Sequence, residues 1–282
     1  MERCVKMNIT LNTSNNPPYE SMFNTLTQEV FGFSFQPWFE QKLWNESYES
    51  YSVIENGRML ANVCVFKHEM LVRGELVRAL QFGAVATAKA ARGRGLSRLL
   101  MEHVLEIYPG WLAFLNANPG VVDFYPRFGF RQVQTYKPEI AVKIDNAVAG
   151  SSGFDMDFVY KRNAYSHIID YVNAQPVNVF HLVMEYGDDV YFLPALDVFA
   201  VAKQSGERLY LADVVAGGCV DFDELVRELP FAGVEVVEFG FCPDWLGVEP
   251  EWVVSDMEEE LFFVKGDWDL PRRFCFPVMG GT

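Results

Sequence analysis

At 282 residues, half of them hydrophobic and 15% aromatic, the chain can bury a sizeable core, which excludes global disorder. No apolar run reaches the roughly 18 residues of a membrane span, and residues 1–8 lack the apolar core of a signal peptide. Five cysteines without paired metal-ligand spacing read as reduced thiols in a cytoplasmic protein that holds no metal, and a net charge of −15 argues against nucleic acid as a partner.

In chain order, residues 7–11 read as a short strand and 12–18 as a turn-rich loop. Residues 19–31 and 37–44 read as helices, the second opened by Pro37. The aromatics Phe31, Phe33, Phe35, Trp38, Phe39 and Trp44 read first as core and cover for a sheet. Residues 51–55 and 58–67 flank Asn56-Gly57, a hairpin signal, and 69–77 continues the pairing. A strand over 79–87 then leads into ten residues that hold Lys89, Arg92, Arg94 and Arg98, two glycines (Gly93 and Gly95) and no acid. Leu96, Leu99, Leu100, Val104 and Ile107 recur at helical spacing behind them, and Arg98 stands i,i+4 from Glu102. A strand, a glycine turn and a helix N-terminus make an anion site, because the first amides of a helix lack internal partners and point at the ligand. The stretch lacks the Gly-Lys-Ser/Thr ending of a Walker loop and the third glycine of the dinucleotide fingerprint.

This stretch resembles the acetyl-CoA signature of the GNAT acetyltransferase superfamily, Q/R-x-x-G-x-G/A, with Arg92 and Gly95 matching and Ser97 in place of glycine or alanine. After a strand-like run over 111–115, residues 118–130 resemble the family's second signature, N-x-x-A-x-x-F/L-Y-x-x-x-G-F. Asn118, Phe124, Tyr125, Gly129 and Phe130 match, and Val121 replaces alanine. Asn118 and Pro119 read as the N-cap and first position of a helix. The resemblance implies acetyl-CoA as cofactor, with its diphosphate on Arg92, Gly93, Arg94, Gly95, Leu96, Ser97 and Arg98. It also implies the pantetheine arm on the main chain of Val85, Ala86 and Thr87, a contact from Asn118, and Tyr125 as the acid that protonates the leaving thiolate. Pro126 follows that tyrosine directly, and proline disturbs a helix interior. For the general base His68, Glu75, Asp123, Glu139, the carboxylate of Thr282 and a water chain all stay open; His68 by itself reads as a surface residue on a strand end.

Small residues over 147–153 mark a linker between a GNAT domain over 1–146 and a second domain over 154–282. Residues 163–173 read as a helix. Residues 177–185, 190–193, 198–203 and 208–215 read as strands, and 221–229 as a helix capped by Asp221 and Glu224. Strands follow over 234–240 and 261–265, with an apolar edge strand over 274–279. This order resembles the degenerate second unit of tandem GNAT proteins. It lacks a second cofactor site, since the glycines at 217 and 218 have acids around them and no base. The expected fold is α+β: a mixed, mostly antiparallel GNAT-type sheet flanked by helices, then a smaller GNAT-like α/β domain. Residues 1–150 hold 15 Lys+Arg against 14 Asp+Glu, and 151–282 hold 8 against 24. The acidic half is a solvated face or a wall that draws in a cationic acceptor. The function implied is transfer of acetyl to a primary amine of a small cationic molecule or peptide, by direct attack in a ternary complex. The alternative is a vestigial, non-catalytic acetyl-CoA-binding module with a regulatory second domain.

Overall fold

A computed structural model describes residues 8–145, 151–153, 156–258 and 261–281. Most of the expected linker, Met7 and Thr282 lie outside the described residues. The first half runs β1 (Ile9–Asn12), α1 (Pro17–Phe31), α2 (Gln36–Glu40), β2 (Tyr48–Glu55), β3 (Arg58–Val72), β4 (Glu75–Thr87), α3 (Leu96–Ile107), β5 (Leu112–Asn116), β6 (Arg131–Gln132) and β7 (Tyr136–Ile144). Next come β8 (Ser151–Ser152), α4 (Met156–Lys161), β9 (Ile169–Asn173), α5 (Gln175–Met184), β10 (Val190–Leu193), β11 (Val198–Ser205) and β12 (Arg208–Ala216). The chain continues through α6 (Phe222–Glu228), β13 (Val234–Phe239), β14 (Glu251–Val254) and β15 (Phe262–Lys265).

Two mixed, mostly antiparallel sheets result, as the α+β expectation requires. The first has the order β1-β2-β3-β4-β5-β15-β6, with β9 also pairing β3; the second has the order β14-β7-β13-β12-β11-β10-β8. Among the described residues only β4–β5 and β12–β13 pair in parallel, each across one helix, α3 or α6. The halves exchange strands: β15 and β9 enter the first sheet, and β7 belongs to the second.

Several elements differ from expectation, each for a local reason. Residues 169–173 are a strand because they pair with β3 from Val72↔Ile169 to Glu69↔Asn173. Residues 175–184 are the helix α5, with Pro176 in its first turn. Its buried set includes Val177, Val179, His181 and Leu182, so it is covered on nearly every side and shows no polar stripe that separates helix from strand. The turn between β3 and β4 is Arg73-Gly74, both at positive φ, rather than a break near 78. The second expected helix shrinks to Gln36–Glu40, and Lys42 lies at φ +56. No α-helix starts at Asn118; Pro119–Val121 and Tyr125–Phe128 are separate 3-10 turns, and Asn118 makes no side-chain cap. Residues 274–277 are irregular, followed by a 3-10 turn over Val278–Gly280. That turn docks on α5: Asn178 donates to the Met279 carbonyl at 2.5 Å, and a Cβ at Gly280 would overlap the Tyr171 ring.

His68 is 1% exposed, inside the first sheet rather than on its surface. Its Nε2 meets Gln81 Oε1 at 2.8 Å, its ring packs against Phe66 and Phe114, and its Nδ1 has no partner among the described residues. Burial lowers its pKa to about 4. The unfolded chain therefore takes up a proton near pH 6.5 that the native state refuses. The contribution is complete above about pH 6.5 and is lost as pH falls toward about 4, on the order of 3 kcal/mol in full. Urea unfolding from pH 7 to pH 4 should show His68→Gln losing less stability than wild type over that interval; equal losses would remove His68 from the account.

Candidate active site

The site begins where β4 leaves β5. The two pair only from Ala79↔Leu112 to Gln81↔Phe114, and beyond that β4 keeps β3 alone. A bulge drives the parting: the register with β3 jumps between Ala86↔Asn62 and Gly83↔Cys64, and Ala84 lies at φ +44. An L-residue there costs roughly 1–3 kcal/mol and persists only where its surroundings fix it. Fully buried Asn62 does so, donating Nδ2 to the Ala84 carbonyl at 3.1 Å and accepting from Ser50 Oγ at 2.5 Å. Residues 82–87 thus turn one main-chain edge toward the cleft between the strands.

At the end of β4 the chain forms a 3-10 turn over Lys89–Ala91, and Gly93 (φ +78) and Gly95 (φ +74) carry it into α3. Gly95 is the N-cap and offers no side chain, so the first amides of α3 have no capping acceptor. Thr87 Oγ1 and Ser97 Oγ lie 2.5 Å apart and tie the strand end to the helix start. Leu96 is buried in the core, which leaves its amide rather than its side chain for a ligand. The side chains of Lys89 and Arg92 are exposed and have no ion-pair partner among the described residues. Arg94 is bound instead to Glu55, at 2.6 and 3.3 Å, and Arg98 to Glu102 at 2.8 Å. Exposed pairs of this kind are worth at most about 1 kcal/mol, so an anion at the turn competes with them on easy terms.

Tyr125 opens the second 3-10 turn, and Pro126 follows in its first turn, where the missing N–H has no acceptor to lose. The Tyr125 ring is packed by Phe124, Phe130 and Phe263, and its hydroxyl has no hydrogen-bond partner among the described residues. Burial raises its pKa to about 12. Tyr125, Asn118, Asn116 and the bulge residues Gly83, Ala84 and Val85 line a cavity of about 330 Å³. The same cavity is lined by Phe31, Phe33, Phe35 and Trp38, by Phe180 and His181 of α5 and by Glu185 at its C-cap. His181 Nδ1 lies 3.0 Å from Glu185 Oε2, and its Nε2 contacts the Gly281 carbonyl. The hydrogen bond from His181 holds the Glu185 carboxyl below its usual range.

Of the residues expected from sequence, Val85, Asn118 and Tyr125 come together at the cavity. Ala86 is buried beside it, and Thr87 and residues 92–98 form the turn further along β4. Phe39 and Trp44 are core, while Phe31, Phe33, Phe35 and Trp38 reach the cavity. None of His68, Glu75, Asp123 and Glu139 lines it, and Glu139 pairs with Arg208. The α5 residues were missed because that segment reads as a strand. The available signals were Pro176 and the i,i+4 spacing of His181 and Glu185.

Residues 17–133 match the family model described as Acetyltransferase (GNAT) domain. This stretch of the chain is a GNAT domain. It makes the protein an acyltransferase by class, and the matched residues contain the bulge, the α3 turn and Tyr125. No curated protein matches the chain. Among solved structures, a probable N-acyltransferase from Enterococcus faecalis is 13% identical, with a TM-score of 0.58 over 91% of this chain and 72% of its own. A GCN5-related N-acetyltransferase from Kribbella flavida is 15% identical, with a TM-score of 0.56 over 93% and 72%. Eis1 from Mycobacterium abscessus is 15% identical, with a TM-score of 0.56 over 92% and 73%. At such identities the likeness is one of fold, and it extends well past the GNAT domain into the second sheet.

The GNAT cleft rests on Asn62. Asn62→Ala leaves the Ala84 carbonyl without its buried side-chain donor, while the Ser50 hydroxyl keeps Tyr19, and should cost about 2 kcal/mol in urea unfolding. A loss below about 0.5 kcal/mol would mean that the bulge stands without it.

Proposed function

We propose that the protein transfers the acetyl group of acetyl-CoA to a primary amine of a small cationic molecule or peptide, by direct attack in a ternary complex. The observation that carries this reading is the continuity of β4. One strand joins the uncapped, arginine-flanked start of α3 to the cavity lined by Val85 and Tyr125. In this reading the amides of residues 93–97 and the Arg92 guanidinium hold the diphosphate of the co-substrate, with Arg94 and Arg98 recruited from their carboxylate partners. The main chain of residues 85–87 and the Asn118 side chain hold the pantetheine arm.

Holding both substrates in one cleft supplies proximity and orientation. The amine nitrogen bonds to the thioester carbon, the carbon–sulfur bond breaks, and the phenolic proton of Tyr125 passes to the departing sulfur. The proton given up by the amine goes to solvent. The phenol carries the proton this role needs at neutral pH, and burial, which raises its pKa to about 12, keeps it there. Main-chain N–H groups at the bulge are suited to the thioester carbonyl as charge develops there. Pro126 occupies a first-turn position, where its missing N–H costs the 3-10 turn no hydrogen bond.

Tyr125→Phe should lower kcat on a primary amine by about 100-fold while acetyl-CoA affinity is unchanged. An unchanged kcat would take Tyr125 out of the proton transfer. Arg92→Glu should raise KM for acetyl-CoA at least about tenfold with kcat within about twofold. If KM stays at the wild-type value, the diphosphate lies elsewhere.

A further inference from the structure

The cavity wall narrows the class of acceptor, an inference that rests on the acetyl-transfer reading. Aromatic side chains dominate the lining of this space, among them Phe31, Phe33, Phe35, Trp38 and Phe180. They form one connected surface across two parts of the chain. Phe33 lies 5.1 Å from Phe35 and 6.4 Å from Phe180, centroid to centroid, and Phe35 lies 5.3 Å from Phe180. This surface is only partly covered by the protein itself. Phe33 is 39% exposed, and Phe31 and Phe180 are half-buried, although the rings beneath them are fully packed. Large aromatic side chains clustered and left open inside a concave site mark a surface made for an apolar ligand.

The charges on the same wall are few. Residues 151–282 carry 24 acidic side chains, yet among the described residues that line the cavity Glu185 is the one side-chain carboxylate. One of its oxygens faces His181 and the Lys203 ammonium lies nearby on the Glu185 main-chain carbonyl, while Oε1 makes no hydrogen bond among the described residues. The Trp38 indole N–H is spent on the Pro176 carbonyl at 2.7 Å. A polyamine or aminoglycoside brings several ammonium groups, and each one taken from water without a counter-charge is costly. A space of about 330 Å³, at the small end of ligand sites and shared with the acetyl-bearing arm, leaves room for a compact acceptor.

We infer that the acceptor is an arylalkyl primary amine with a single positive charge. Its ring lies against Phe33, Phe35 and Phe180, and its ammonium is drawn in by the Glu185 carboxylate. The overall acidity of the second half then serves the protein's surface rather than substrate choice.

The test compares kcat/KM on phenethylamine and tryptamine with that on spermidine and kanamycin, using the full chain and saturating acetyl-CoA. The aryl amines should be preferred at least about tenfold. Phe33→Ala, at a position exposed enough to leave the fold intact, should erase most of that preference by raising the aryl-amine KM, with KM for acetyl-CoA unmoved. Glu185→Gln should raise KM for all the amines alike. Faster turnover of spermidine or kanamycin, or a preference that survives Phe33→Ala, overturns the inference and leaves acetyl transfer standing. Turnover of no amine at all overturns acetyl transfer and the inference with it.

Discussion

The separation of β4 from β5 is the constraint on which the site depends. Two parallel strands that stay paired would close their main-chain groups to everything else. Here pairing stops at Gln81↔Phe114, because Ala84 adopts a left-handed conformation and shifts the strand against β3. The buried Asn62 amide holds that conformation by bonding the displaced carbonyl. A single side chain inside the sheet thus keeps a wedge open at its surface. Both the glycine turn before α3 and the cavity beside Tyr125 lie along the freed edge.

The second half of the chain completes what the wedge begins. α5 lays Phe180, His181 and Glu185 across the opening, and it is held from behind by a buried polar cluster. Arg162 bonds Asp170 at 2.8 Å and Asp213 at 3.0 Å, Tyr171 donates to Asp213 at 3.1 Å, and Asn178 of α5 donates to the Tyr171 hydroxyl at 3.0 Å. Buried ion clusters of this kind add little net stability but are costly to break, which suits them to fixing one arrangement of neighbouring elements. The cluster joins the second sheet, through Asp213 of β12, to the helix that walls the cavity of the first.

How much of this was legible in the sequence depended on where the chemistry is local. The α3 turn was legible, because glycines at positive φ, flanking arginines and a following apolar periodicity all fall within about ten residues. Tyr125 was legible only through its resemblance to a family pattern. The bulge at Ala84 was not, since nothing about alanine announces φ +44; the cause sits on another strand, at Asn62. α5 was misread because a helix buried on nearly all sides presents the same apolar run as a strand, and β9 because its β character comes from the partner it finds in β3. The shared sheet membership of β15 and β7 has no sequence signature of any kind.

That last feature bears on how the polypeptide acquires its shape during synthesis. β15 lies between β5 and β6, so the first sheet has a gap until residues 262–265 leave the ribosome, long after the rest of its strands. β5 and β6 meanwhile present unpaired edges, the kind of surface on which nascent chains associate wrongly. The glycine turn and α3 can order early from contacts close in sequence, whereas the neighbourhood of Tyr125, whose ring rests on Phe263 of β15, is finished last.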